Sequence, residues 1–216
     1  MMIRKLLWIT WLLALSVTLY AQKTFELKTG DILFQTNKAQ TSFVKAIENV
    51  TTSADDLNFS HVGVVVIEEG EIFVLEATMP VVCKTPLEKY LKQAKLVNGK
   101  PLVVVGRLNP RFRKSIPKAI EIMKSLLGKP YDYVFLPDND DYYCSEIIYL
   151  AFLRRNGKPI FKASPMSFKD KRTGETSPLW VKHFERHKTP IPEGVPGTSP
   201  GEMSRSKAIK LVHHFF

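Results

Sequence analysis

The strongest constraint on the fold is a pair of β-rich runs, Phe59-Ser60-His61-Val62-Gly63-Val64-Val65-Val66-Ile67 and Ile72-Phe73-Val74-Leu75-Glu76-Ala77-Thr78, split by Glu68-Glu69-Gly70-Glu71. Two such runs around a glycine-containing turn specify an antiparallel hairpin. If Glu69-Gly70 is a two-residue turn, paired positions sum to 139, so His61 faces Thr78 and Gly63 faces Glu76. Side chains alternate across a strand, which puts His61, Glu76 and Thr78 on one side, with Glu76 a diagonal neighbour of His61. A carboxylate there can orient the imidazole and hold its tautomer. A three-residue turn would slip the register by one and turn Glu76 to the opposite face. The same residues also fit a purely structural role, as a satisfied core histidine and a strand-end surface charge.

A second constraint is Asp140-Asp141-Tyr142-Tyr143-Cys144-Ser145-Glu146-Ile147-Ile148-Tyr149-Leu150-Ala151-Phe152-Leu153. It sets a cysteine where a polar loop gives way to a helix-like run, and unpaired N–H groups at such a junction favour a thiolate. Cysteine also serves as a small buried hydrophobe. Cys83 and Cys144 are the only two cysteines. One disulfide between them would remove the nucleophile, and two do not make a disulfide framework for a chain this long. A Cys at a helix start, a His on a sheet and a carboxylate beside that His supply the parts of covalent acyl transfer. The N–H of Cys144 is a natural oxyanion donor, and Tyr131 and Tyr142 are candidates for a second. The chain order His, carboxylate, Cys reverses papain's, but geometry rather than order defines such a triad.

At 216 residues, 44% hydrophobic and 11% aromatic, the chain can bury one full core. Only the N-terminus reads as separable. Arg4 and Lys5 precede an apolar run from Leu6 to Tyr20, and Ala21 is a plausible last residue before cleavage. This is the pattern of a secretory signal peptide, residues 1–21, followed by a single domain, 22–216. Leu19, not a small residue, stands three before the cut, so an uncleaved anchor is the alternative. The expected location is therefore outside the cytoplasm, periplasmic or secreted. The formal charge is +10, and without Arg4 and Lys5 it is +8. For an exported protein that suggests anionic wall polymers or lipid headgroups as neighbours, or simply a solvated basic surface. No Arg-rich run or helix-turn-helix pattern points to nucleic acid. His183 and His187 stand four apart, but no third ligand lies near, so neither metal nor cofactor is expected.

Elsewhere the pattern predicts a short strand at Asp31–Gln35, a helix from Ser42 to Val50, a polar loop from Thr51 to Asn58, and a helix to about Gln93 opened by a Thr85-Pro86-Leu87-Glu88 capping box. A doubly buried strand is expected at Pro101–Leu108 and a helix at Ser115–Leu127, stopped by Gly128. The helix after Cys144 is expected to reach Arg154-Arg155-Asn156-Gly157. A helix start at Ser177-Pro178, a Pro/Gly-rich loop from Ile191 to Gly201, and a closing strand near residues 207–216 complete the reading.

Five blocks together resemble the permuted papain-like amidases of the YiiX/YaeF kind, circularly permuted relatives of the NlpC-type cell-wall peptidases. They are Gly30-Asp31-Ile32-Leu33-Phe34, Ser60-His61-Val62-Gly63-Val64, Leu75-Glu76-Ala77, Gly128-Lys129-Pro130-Tyr131-Asp132 and Tyr143-Cys144-Ser145-Glu146. Pro196-Gly197-Thr198-Ser199-Pro200-Gly201 is similar to that family's C-terminal end. The resemblance implies an α+β fold, an antiparallel sheet packed against helices, with a triad mapping onto Cys144, His61 and Glu76; Thr78 is the fallback for the third position. The activity it implies is cysteine-dependent amide hydrolysis through a thioester, on a peptide of the cell wall. The alternatives are a lipid acyltransferase or lipid-ester hydrolase with the same triad, so that the substrate partner is a peptide or a lipid-like acyl group, or a non-catalytic wall or lipid-binding module.

Overall fold

The computed structural model describes residues 25–39, 41–137 and 139–216, and the expected signal segment, residues 1–21, lies outside them. Six strands make one antiparallel sheet: β1 (Ile32–Gln35), β2 (His61–Glu68), β3 (Glu71–Thr78), β4 (Val81–Pro86), β5 (Val103–Leu108) and β6 (Ile209–His214). Their spatial order is β6-β5-β1-β2-β3-β4. The β2–β3 ladder pairs Val64 with Leu75 through Glu68 with Glu71, the register that a Glu69-Gly70 turn dictates. Both turn residues have left-handed backbones, φ 51° and 84°, as a tight hairpin with the strands' own twist requires.

The strands carry apolar side chains on both faces because helices cover both. On one face Phe34, Val62, Val64, Leu75 and Val104 meet Ala119, Ile120 and Met123 of helix α3 (Ile116–Ser125) and Ile147, Ile148 and Ala151 of helix α4 (Cys144–Ala151). On the other, Leu33, Val65, Val74, Val103 and Val105 surround Tyr90 of helix α2 (Leu87–Lys92). Full burial of side chains such as Ile147 and Ile148 contributes about 1.5–3 kcal/mol each relative to exposure. Helix α1 (Ser42–Val50) is capped by Thr41, whose hydroxyl accepts from the Val44 N–H. It packs against helix α5 (Pro178–Arg186), and the five-residue helix α6 (Pro200–Ser204) contacts α4.

The Gly30-Asp31 block is a brace. The Asp31 carboxylate accepts from Arg107 Nε and Nη2 of β5, both at 2.7 Å, and from the Lys28 N–H, locking β1 to β5 with a two-pronged ion pair. Gly30 (φ 90°) lies so close to Ile116 that a Cβ would fall 2.7 Å from its methyl carbons.

Three expectations are corrected. Thr85 caps no helix: β4 runs through it to Pro86, its partner across the sheet is Val74, and its hydroxyl lies 3.4 Å from Cys83 Sγ. The helix after Cys144 stops at Ala151 rather than near Arg154, because Phe152 turns extended and Leu153 bridges to Pro159. Pro101 joins a two-residue ribbon, Lys100–Pro101 with Leu96–Val97, and the sheet strand begins at Val103. Among the described residues no helix is long and apolar enough to cross a membrane.

Candidate active site

The β2–β3 ladder ends at Val64 and Leu75, and beyond its last pair the hairpin meets the head of α4. There His61 Nε2 donates to Glu76 Oε2 at 2.5 Å. Glu76 is fully buried and His61 is 9% exposed. The Cys144 side chain lies near enough to the ring to raise its pKa. Burial alone would push the imidazole pKa down, but the hydrogen bonds to Cys144 and Glu76, together with their charges, outweigh it and raise His61 to about 10. The imidazole therefore carries its proton at neutral pH. Thr78, the other residue placed on this face, pairs with Val81 in the β3–β4 ladder; the carboxylate is what meets His61. Cys83 and Cys144 are both free thiols.

Local sequence explains why these groups meet. Gly63 leaves room beside Glu76: a Cβ there would fall 2.4 Å from Val74 Cγ1 and 3.3 Å from Glu76 Cβ. Tyr90, fully buried, backs the imidazole with ring centroids 5.8 Å apart and donates its hydroxyl to the Leu33 carbonyl at 2.8 Å. Nothing local in the sequence marks Tyr90, because only the turn from β4 into α2 carries it behind His61. At the start of α4 the Tyr143 N–H donates to Glu146 Oε2, and the Glu146 N–H donates back to the Tyr143 carbonyl. The N–H groups of Cys144 and Ser145, in the first turn, are left to point outward from the helix start.

A pocket of about 280 Å³ opens against Cys144. Tyr131 lines it, and Tyr131 pairs with Tyr142 in the short bridge just before the cysteine. Its hydroxyl bonds no described residue. Burial, then the charge at Cys144, holds that hydroxyl well above its ordinary pKa, so it remains a donor. Tyr142, the other candidate donor, faces a separate cleft with Asp140 and Glu146. Thr51 and Thr52 reach the pocket from one loop and Phe135 from another. Phe135 owes its place to the next residue after Tyr131: Asp132 Oδ1 accepts from the N–H groups of Val134 and Phe135 at 2.8 and 2.9 Å. That bend holds Phe135 in a left-handed conformation, φ 56°. The Pro196–Gly201 segment closes the pocket from the C-terminal side. Thr198 donates its N–H to the Tyr143 hydroxyl and its hydroxyl to Ser145, at 3.1 and 3.0 Å. His183 donates Nε2 to the Tyr133 carbonyl at 2.6 Å, and His187 lies beside its ring. Among the described residues no group of three or more His, Cys, Asp or Glu side chains is placed to hold a metal ion.

An antiparallel sheet bearing His and a carboxylate, closed on a cysteine at the head of a helix, is the architecture of the papain-like cysteine hydrolases. The chain belongs to the permuted papain-like amidase family YaeF/YiiX, C92, whose family model matches residues 26–213. It is 35% identical over 127 residues to YiiX of Escherichia coli (strain K12), an alignment spanning 58% of this chain and 57% of that relative, so the match covers little more than half of the relative's length. Its fold is similar to the crystal structure of the metalloprotein YiiX from Escherichia coli O157:H7, with a TM-score of 0.70 and 27% identity over 88% of this chain and 98% of that one.

Proposed function

We propose that the protein is a thiol-dependent acyl hydrolase in which Cys144 is the nucleophile, His61 the proton carrier and Glu76 the group that orients His61. The observation that carries this reading is the buried chain of contacts from Glu76 through the imidazole to sulfur. Sulfur attacks the carbonyl carbon while the proton waits on His61. The oxyanion that forms is met by the Cys144 N–H and the Tyr131 hydroxyl. Collapse breaks the bond to the leaving amine, which takes the proton from His61, and leaves a thioester on Cys144. Water then gives a proton to His61 and adds its hydroxide to the thioester, freeing the acid; sulfur leaves as thiolate and the proton stays on His61, as at the start. The +8 charge expected of the exported chain favours an acyl donor set among anionic wall polymers or headgroups. The described residues do not fit a metal centre, so no step runs through one.

Two acyl donors fit the chemistry, an amide of a cell-wall peptide and a lipid-like acyl group; the buried Phe168 and Trp180 that line the pocket support the second. Incubating the protein with muropeptides and with phospholipids, followed by mass spectrometry for cleaved peptide or acyl-Cys144, separates them. Cys144→Ala is expected to remove turnover with the fold intact; unchanged turnover overturns the reading.

A further inference from the structure

Strand β1 is apolar through Ile32, Leu33 and Phe34 and then ends on Gln35, whose side chain is fully out of water. Gln35 pairs directly with His61 of β2 and, on its other side, with Val103 of β5. Directly paired residues project to the same side of a sheet with Cβ atoms about 5 Å apart, so the Gln35 side chain leaves the sheet next to the imidazole. Alternation along β1 agrees. Leu33, two residues back, belongs to the cluster around Tyr90, the ring that backs His61. Among the described residues neither Gln35 Oε1 nor Gln35 Nε2 has a hydrogen-bond partner, and Glu76 Oε1, on the same face, has none either. A buried amide without partners costs folding free energy that a leucine or methionine at the same place would not.

On these grounds, and resting on the thiol acyl-transfer reading above, we infer that Gln35 is a positioning residue for His61: its amide, bound to nothing else, takes the place of water beside the ring. In each half-reaction the ring passes between its charged and neutral forms, on a face of the sheet that Tyr90 and its apolar neighbours cover. Charging a ring in dry surroundings is unfavourable unless dipoles turn to meet it. A primary amide carries both an acceptor and two donors. Anchored to no other group, it presents Oε1 to the imidazolium and its N–H groups to the neutral ring. Glu76 fixes the direction of the imidazole, and Gln35 lowers the cost of its change of charge. The amide acts through His61 alone, since Gln35 does not line the pocket against Cys144.

The test reads the rate of Cys144 alkylation by iodoacetamide from pH 5 to 11, with Cys83→Ser in every protein, so that no substrate need be known. Gln35→Met keeps the length of the side chain and removes the amide dipole; Gln35→Leu takes its place if that variant fails to fold. Without the amide, burial of the charged ring is less well compensated. The high-pH step of the profile is therefore expected to move down by about one pH unit, with no loss in the urea midpoint. Leu33→Met, an apolar exchange on the same strand and face, is the control and is expected to leave the step in place. A step unmoved in folded Gln35→Met, or moved equally by Leu33→Met, overturns the inference about Gln35 while leaving the thiol chemistry standing. A native profile that coincides with that of His61→Ala overturns the thiol acyl-transfer reading and the inference with it.

Discussion

The two ends of one hairpin carry the same kind of contact and behave differently. At the turn end Glu68 accepts from Lys84 at 2.6 Å and pairs also with Lys124, with all three side chains partly in solvent. At the other end His61 and Glu76 meet at 2.5 Å out of water. Hydrogen bonds from Lys124 and Lys84 lower Glu68 to about 2, yet water screens such a pair and its loss costs little. Around His61 burial opposes the charged ring, and its interactions with Cys144 and Glu76 hold the proton there. Similar charges therefore brace a surface at one end and set a protonation state at the other. Burial makes the difference.

The hardest blow to that contrast is Glu76→Gln. It keeps shape but replaces the charge on a fully buried partner, and kcat/KM is expected to fall about a thousandfold or more, with circular dichroism unchanged; a loss under tenfold would reduce Glu76 to a bystander. Stability should carry the signature of His61 as well. Its pKa is raised from 6.5 in the unfolded chain to about 10 in the folded protein, so the stabilisation is complete below pH 6.5, declines as pH rises, and is gone above about 10. Urea midpoints are expected to fall between pH 7 and pH 10 in the native protein, and less in Glu76→Gln. Gly63→Ala attacks the room beside Glu76, and overpacking of this kind is expected to destabilise by about 1–3 kcal/mol in urea unfolding. Glu68→Gln, the control at the exposed end, is expected to leave kcat/KM and the thermal midpoint close to native.

Much of this contrast was legible in the sequence because it is local. A glycine turn flanked by alternating apolar residues sets the His61 and Glu76 register once that turn is two residues long, and the polar-to-apolar step at Cys144 marks a helix start. What stayed hidden depends on distant partners. Strand β4 is a run of Val81, Val82, Cys83, Lys84 and Thr85 without alternation, held in place by pairing with β3, and its extension through Thr85 cancelled the capping box. Tyr90 reaches His61 only because α2 folds back over the sheet. Tyr131 and Tyr142 looked equivalent as oxyanion donors, and only the bridge between their segments turns one toward Cys144 and the other toward an acidic cleft. The pocket joins residues from Ile47 to Arg205, a convergence that spacing along the chain does not encode.

The central claim is that the protonated His61 imidazole acts on the Cys144 sulfur. Its most direct test is the rate of Cys144 alkylation by iodoacetamide across pH 5 to 11 in the native protein and in His61→Ala, with Cys83 replaced by Ser in both. The account predicts fast alkylation of the native protein at pH 7, a profile that changes as the imidazole loses its proton near pH 10, and at least about tenfold slower reaction of His61→Ala at pH 7. Superimposable profiles for the two proteins would contradict it.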